Sequence, residues 1–389
     1  VLRRDIELEG QGVQFLRFAY GAAMPDERRR LLEDLNPEAP YLRETQEDWR
    51  YELAHFSTGE DPVLHREMAW HSYNLLSSTV YSRFHDVHLI PQGSAYLYLH
   101  GADGAPRDQA LFTLPMVYLN PELAQDMLRL NMRLTDRLTG QITYSFTGHG
   151  YITNGLNIHT SPSDLDLFFL LAMCEYLTAT RDFDFLSEEV PFYPPGKPTR
   201  AQGLTVADHI RFALKHLFES VGIGDHDLIR VRSGDWSDSI VLETAVRDGL
   251  LGIGYQNSKA HGESIPNTQM ALYILPLLAN LLERHVPDIT ETINDGRLDR
   301  LRAGLERQWN PAGWYNRAVL RGVNNDVIKV DSLSLEAQVW GLISGAAAEA
   351  GHESTLIERV EAILDRPSPI GATLTPNGMT WPAISHLLT

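Results

Sequence analysis

From about residue 60 onward the chain alternates apolar-periodic stretches of about 12 to 18 residues with loops rich in Gly, Pro, Asn, Asp and His, and strand signals are few. The periodicity predicts helices over 62–82, 106–118, 121–138, 163–180, 205–221, 265–284, 296–308, 331–349 and 353–364. Each must bury an apolar face, and so many helices joined by loops of unequal length point to paired helices in a toroid rather than a four-helix bundle. A fixed-period repeat, the mark of a solenoid, is not visible. Trp, His, Asp and Glu concentrate in the loops next to the helix ends, as expected when one rim of a helical barrel carries the site.

The first 60 residues read differently. Residues 1–20 alternate apolar and polar side chains on both sides of Gly10-Gln11-Gly12, the pattern of a β-hairpin. Two strands are marginal alone, so they should close a sheet whose remainder is absent or lie against the helical body. Residues 24–60 are charged and helix-prone, punctuated by Pro37 and Pro40, and read as a linker with a helix or two. The start at Val1 and the end at Thr389 inside an apolar run suggest a piece of a longer protein, truncated at its C-terminus.

Charge narrows the partners. Lys and Arg total 33 against 51 Asp and Glu, a net charge of −18, which disfavours a surface that tracks nucleic acid or anionic lipid. Cys174, the one cysteine, lies in an apolar run and reads as a buried, inert thiol, and a cytoplasmic setting fits. Neither a signal peptide nor a membrane span is expected. The histidines, including His149, His159, His209, His216, His226 and His261, form no zinc-ligand spacing, and no metal or cofactor is expected. Dinucleotide, Walker and serine-hydrolase motifs are missing in the context they require.

The strongest local signal is Ser233-Gly234-Asp235-Trp236-Ser237-Asp238, two carboxylates flanking an aromatic on a Gly-opened loop. Glycoside cleavage needs a carboxylic acid that stays protonated near neutrality, and a neighbouring Trp can desolvate it and stack on a sugar ring. Asp235 is the expected acid; a helix cap would explain Asp235 or Asp238 without any chemistry. Pro91-Gln92-Gly93 leads to Arg107-Asp108, which opens an apolar helix and could grip adjacent sugar hydroxyls, or form a structural pair. Ser163-Asp164, His261-Gly262-Glu263-Ser264 and Asp331 to Trp340, which contains Glu336, also sit at helix starts.

Taken in order, these segments resemble the six-hairpin, (α/α)6-barrel glycosidases, most closely glycoside hydrolase family 94, the cellobiose and chitobiose phosphorylase family. The resemblance spans nearly the whole chain. It implies a mainly α fold in which 1–23 ends an N-terminal β-sandwich, 24–60 is the helical linker and 61–389 is the catalytic barrel. Arg107-Asp108-Gln109, Ser163-Asp164, Gly234-Asp235-Trp236-Ser237-Asp238 and Gly262-Glu263-Ser264 match segments of that family, and the general acid carries over to Asp235. Trp314-Tyr315-Asn316-Arg317-Ala318 and Asp331-Ser332 are similar to its Trp-Tyr-x-Arg-Ala and Ile-Asp-Ser. The family's phosphate-holding His-Gly-Gly-Gln-Tyr-Thr-His is replaced by Asn377-Gly378-Met379-Thr380-Trp381-Pro382-Ala383. That ending also looks like glycogen-debranching and glucoamylase-type relatives, in which water attacks.

The expectation is an inverting, glycoside-cleaving enzyme acting on oligosaccharides, hydrolysis being slightly favoured over phosphorolysis with inorganic phosphate as co-substrate. A base is expected at Glu336 or, second, Glu263, with Asp238 nearby. Sugar contacts are expected from Arg107, Asp108, Gln92, Asp164, Trp236, Trp314 and Trp381. The resemblance also implies a possible homodimer, and a non-catalytic glycan-binding subunit is the alternative from another class.

Overall fold

The computed structural model describes residues 5–7, 10–12, 24–34, 40–55, 61–92, 102–148, 152–153, 159–192, 203–237, 239–242, 252–369 and 371–376. The chain divides into two units, residues 1–69 and 70–389. In the first, the described helices are α1 (Pro25–Asp34) and α2 (Tyr41–Glu52), with the start of α3 (Pro62–Ser78). Most of the expected N-terminal hairpin lies outside the described residues.

In the second unit, four helices pack side by side in chain order: α4 (Pro106–Leu119), α6 (Leu165–Thr180), α9 (Ile265–Leu282) and α12 (Leu335–Ile343). Each is backed by the helix or helices next in the chain. α5 (Pro121–Arg133) lies on α4, α7 (Val206–Lys215) on α6, and α10 (Pro287–Ile293) and α11 (Arg297–Glu306) on α9. The short α13 (Ala346–Glu349) and α14 (Glu353–Val360) cover α12, while α8 (Ile253–His261) precedes α9 and packs on the strand Ala318–Arg321. This inner-and-outer alternation of helix pairs is the expected barrel arrangement.

The sequence explains which helix lies inside. The first three turns of α6 are buried on every side, from Leu165 to Cys174, because they are apolar all round except at Asp166, which pairs with His216 at 2.6 Å. α7 buries only Val206, Ala207, His209, Ile210, Ala213 and Leu214, the single stripe of a helix with one face in water. α9 is long and apolar enough to cross a membrane, against the expectation from sequence, but most of it is buried as an inner helix of the barrel.

Three expected helices end early for visible reasons. The 62–82 stretch stops at Ser78 because Val80–Ser82 pairs with Val87–Leu89. The 121–138 stretch stops at Arg133, since Thr135 bridges to Ile142 around Gly140, whose φ of 78° suits glycine. The 331–349 stretch begins at Leu335 and breaks at Gly345, φ 75°. Not read from the sequence were α8, α10 and the strand pair Ala318–Arg321 with Val327–Val330, which joins Glu263–Ser264 in a small sheet.

Candidate active site

Among the described residues, the N-terminal ends of these four inner helices supply one cluster of charged and polar side chains. Arg107 lies in the first turn of α4 and Asp164 at the N-cap of α6. Ser264 caps α9 by accepting from Asn267 N–H at 3.2 Å, and Glu336 sits in the first turn of α12. Helix N-termini favour anions, which suits the carboxylates gathered here.

Asp235 is at the centre and fully buried. Its loop is fixed on both sides. Ser163 donates its N–H (2.9 Å) and hydroxyl (3.0 Å) to Gly234 O, Asn267 donates to Ser163 Oγ at 2.8 Å, and Ser161 and Ser233 bond to each other. Arg107 adds a 3.2 Å bond from Nη2 to the Asp235 carbonyl, while its Nε lies 2.8 Å from Asp164 Oδ2. Four donors converge on the carboxylate itself. Arg317 Nη1 and Nη2 reach Oδ2 and Oδ1 at 2.8 and 2.7 Å, Ser264 Oγ donates to Oδ2 at 2.5 Å, and Ser237 N–H donates to Oδ1 at 2.9 Å.

This surrounding corrects one expectation. Burial pushes the Asp235 carboxyl up, as a proton donor requires, but the charge and hydrogen bonds of Arg317, with Ser264 and Ser237, outweigh burial and hold it below the usual carboxylate range. These contacts favour the carboxylate form of Asp235 over the neutral acid expected from the loop.

The two expected bases are both engaged by other side chains. Glu263 is fully buried, accepts from His226 N–H at 2.9 Å and lies against His226 Nδ1. It fills the space left by Gly224, where a Cβ would come within 2.4 Å of Glu263 Oε1. Successive strand residues face opposite ways, so Ser264 turns to Asp235 while Glu263 turns away to His226. Glu336 belongs to the cluster, but Arg317 Nε donates to it at 2.7 Å and Ser334 Oγ at 2.5 Å. Asp235 and Glu336 thus share one guanidinium, and the cation lies between the two carboxylates.

The remaining expected residues are spread more widely. Asp108 is partly buried in the first turn of α4 beside Arg107. The Gln92 side-chain oxygen is taken by Ala105 N–H at 2.6 Å, a brace for the start of α4. Trp236 is half-buried and packs on the main core. Trp314 donates from Nε1 to the Asp331 carbonyl at 2.9 Å and also lies on that core. Asp238 and Trp381, with the whole of 377–383, lie outside the described residues. Missed from the sequence were Arg317 and Ser264, although the Trp-Tyr-x-Arg-Ala and Gly-Glu-Ser segments contain them. Cys174 is buried with its thiol pushed up by burial, and no metal-ligating group of three is found among the described residues.

Comparison with known proteins agrees with this architecture. The model of the glycosyl hydrolase 94 superfamily catalytic domain matches residues 57–380. A solabiose phosphorylase from Paenibacillus borealis is 30% identical over 213 residues, 52% of this chain and 24% of that protein. The chain thus matches about a quarter of that relative's length. Among solved structures, a sugar epimerase from a ruminal bacterium has a TM-score of 0.54 at 12% identity, covering 85% of this chain and 79% of the other. The cellobiose 2-epimerase of Bacillus thermoamylovorans B4167 has a TM-score of 0.53 at 9% identity, covering 80% and 74%. At these identities the two structures speak for the (α/α)6-type barrel alone.

Proposed function

Because this chain belongs to the glycosyl hydrolase 94 superfamily as a catalytic domain, we propose that it cleaves glycosidic bonds of oligosaccharides by inverting phosphorolysis, with Asp235 carrying the proton. One observation favours phosphate over water. Both carboxylates suited by sequence to activate water are engaged, Glu263 by His226 and Glu336 by Arg317 and Ser334. An attacking group that is already anionic needs no such base, and the solabiose phosphorylase relative supports the same direction.

In the proposed reaction a phosphate oxygen bonds to the anomeric carbon as the glycosidic carbon–oxygen bond breaks, and the proton on Asp235 passes to the departing sugar oxygen. The products are a sugar 1-phosphate of inverted configuration and a shortened sugar. Arg107 and Asp108 lie at the start of α4, where a cation and a carboxylate can hold neighbouring sugar hydroxyls.

Hydrolysis is the second reading, favoured by the sequence at 377–383, where the family's His and Thr are replaced. Incubation with cellobiose and other α- and β-linked gluco-oligosaccharides, with and without orthophosphate, separates the two. Sugar 1-phosphate formed only with orthophosphate is expected; phosphate-independent release of reducing sugar would overturn phosphorolysis in favour of water.

A further inference from the structure

Arg317 is buried, and its guanidinium is divided between two carboxylates, Asp235 on the Nη1–Nη2 edge and Glu336 at Nε. Every described group around the Asp235 carboxylate donates to it: two N–H groups of Arg317, the Ser264 hydroxyl and the Ser237 N–H. A protonated carboxyl must donate through one oxygen, and of these four only the Ser264 hydroxyl can turn to accept, so the cage, with its three fixed N–H donors, disfavours the proton that cleavage requires. It suits the opposite task, accepting a proton from an incoming sugar hydroxyl as a glycosidic bond is made. Glu336 and the hydroxyl that Ser334 donates to it hold Arg317 by its other edge, so the cation can release Asp235 without leaving the site.

We propose that Arg317 is a positioning residue that keeps the resting site ready for synthesis, and that cleavage begins when a phosphate oxygen takes the place of Asp235 on its guanidinium. This rests on the phosphorolytic reading above. The exchange balances: dihydrogen phosphate enters, one of its protons moves to Asp235 as the Arg317 contact passes to the phosphate, and the same proton leaves on the departing sugar hydroxyl. The charged groups from each surrounding element are Asp235 on its loop, Glu336 on α12, and Arg107 of α4 with its partner Asp164 of α6. The like charge of phosphate favours protonated Asp235, and Arg317 opposes it until the exchange occurs.

The test reads Asp235 itself. Protein labelled with [4-13C]aspartate is titrated by NMR, and the Asp235 carboxyl resonance is identified by its loss in Asp235→Asn. In the parent, orthophosphate with cellobiose should move the midpoint up; without phosphate, Arg317→Gln should already raise it by roughly one to three pH units, the usual reach of a neighbouring opposite charge. Arg317→Lys should restore most of the parent value, which a purely structural role would not require. Should Arg317→Gln fail to fold, Glu336→Gln serves instead: with no second claim on Arg317, the midpoint should fall and phosphate should move it less. A midpoint that ignores both phosphate and these substitutions overturns the proposal. Arg317-dependent titration without any sugar 1-phosphate product would instead defeat phosphorolysis and leave the Arg317–Asp235 coupling standing.

Discussion

Asp235 is bound as an anion by a buried cation, so its loss should be felt in activity and stability alike. Asp235→Asn keeps the shape but removes the proton carrier, and turnover should fall by roughly 10²–10⁴, the range for a general acid; a variant within tenfold of the parent would remove Asp235 from the chemistry. Breaking a buried ion pair costs about 3–5 kcal/mol, and the remaining Glu336 contact on Arg317 puts the expected loss near the low end, about 3 kcal/mol by denaturant titration. The sign with pH follows from the carboxyl being held below its ordinary range. Its contribution is complete above about pH 4 and is lost as pH falls through the folded value, so Asp235→Asn should flatten the acid limb of the stability curve. At this scale Asp235 was legible because two carboxylates around a Trp on a Gly loop are unusual. Arg317 was not, because it meets Asp235 across 82 residues of chain and nothing local marks that pairing.

The elements hold the cluster through their ends and their contact faces. Ser264 both caps α9 and donates to Asp235. Ser264→Ala should therefore destabilise by about 1 kcal/mol for the cap and also raise the Asp235 midpoint, a pairing of effects that a cap alone would not give. In α11, Gly304 lies against the Asp227 backbone, where a Cβ would stand 2.3 Å from the carbonyl oxygen. Neither backbone can yield easily, so Gly304→Ala should cost roughly 1–3 kcal/mol as an overpacked contact, and a melting temperature equal to the parent's would contradict that packing. His209 ties α7 to the Val190 carbonyl at 3.1 Å, and burial lowers it to about 4. The folded state thus resists a proton that the unfolded chain accepts near pH 6.5, and stability should drop as pH falls from there towards 4, less steeply in His209→Gln. The long inner helices could be read from apolar periodicity because they run for several turns. The nine-residue α8 and seven-residue α10 are too short to show a period, and the strand pair at 318–330 depends on a partner, Glu263–Ser264, far away in the chain.

The second unit, taken whole, brings together segments from residues 107 to 336 because its described inner helices begin on one rim, which no single stretch of sequence displays. The periodicity conveys how many helices must pair, whereas the meeting of their first turns follows only from closing the layers around a common core. This gathering has an electrostatic consequence. The cluster holds three carboxylates, Asp164, Asp235 and Glu336, against two guanidiniums, Arg107 and Arg317, within a chain of net charge −18. A negative field slows the approach of an anion and leaves a neutral sugar or water unaffected. Salt shrinks the reach of that field, from about 30 Å at 0.01 M to about 8 Å at 0.15 M. For phosphorolysis, kcat/KM for orthophosphate should therefore rise by a few-fold as an inert salt is added over that range at fixed pH, while kcat/KM for the oligosaccharide at saturating phosphate stays nearly level. A rate for orthophosphate that falls with added salt would mean that the phosphate approaches through a locally positive path that outweighs the acidic whole.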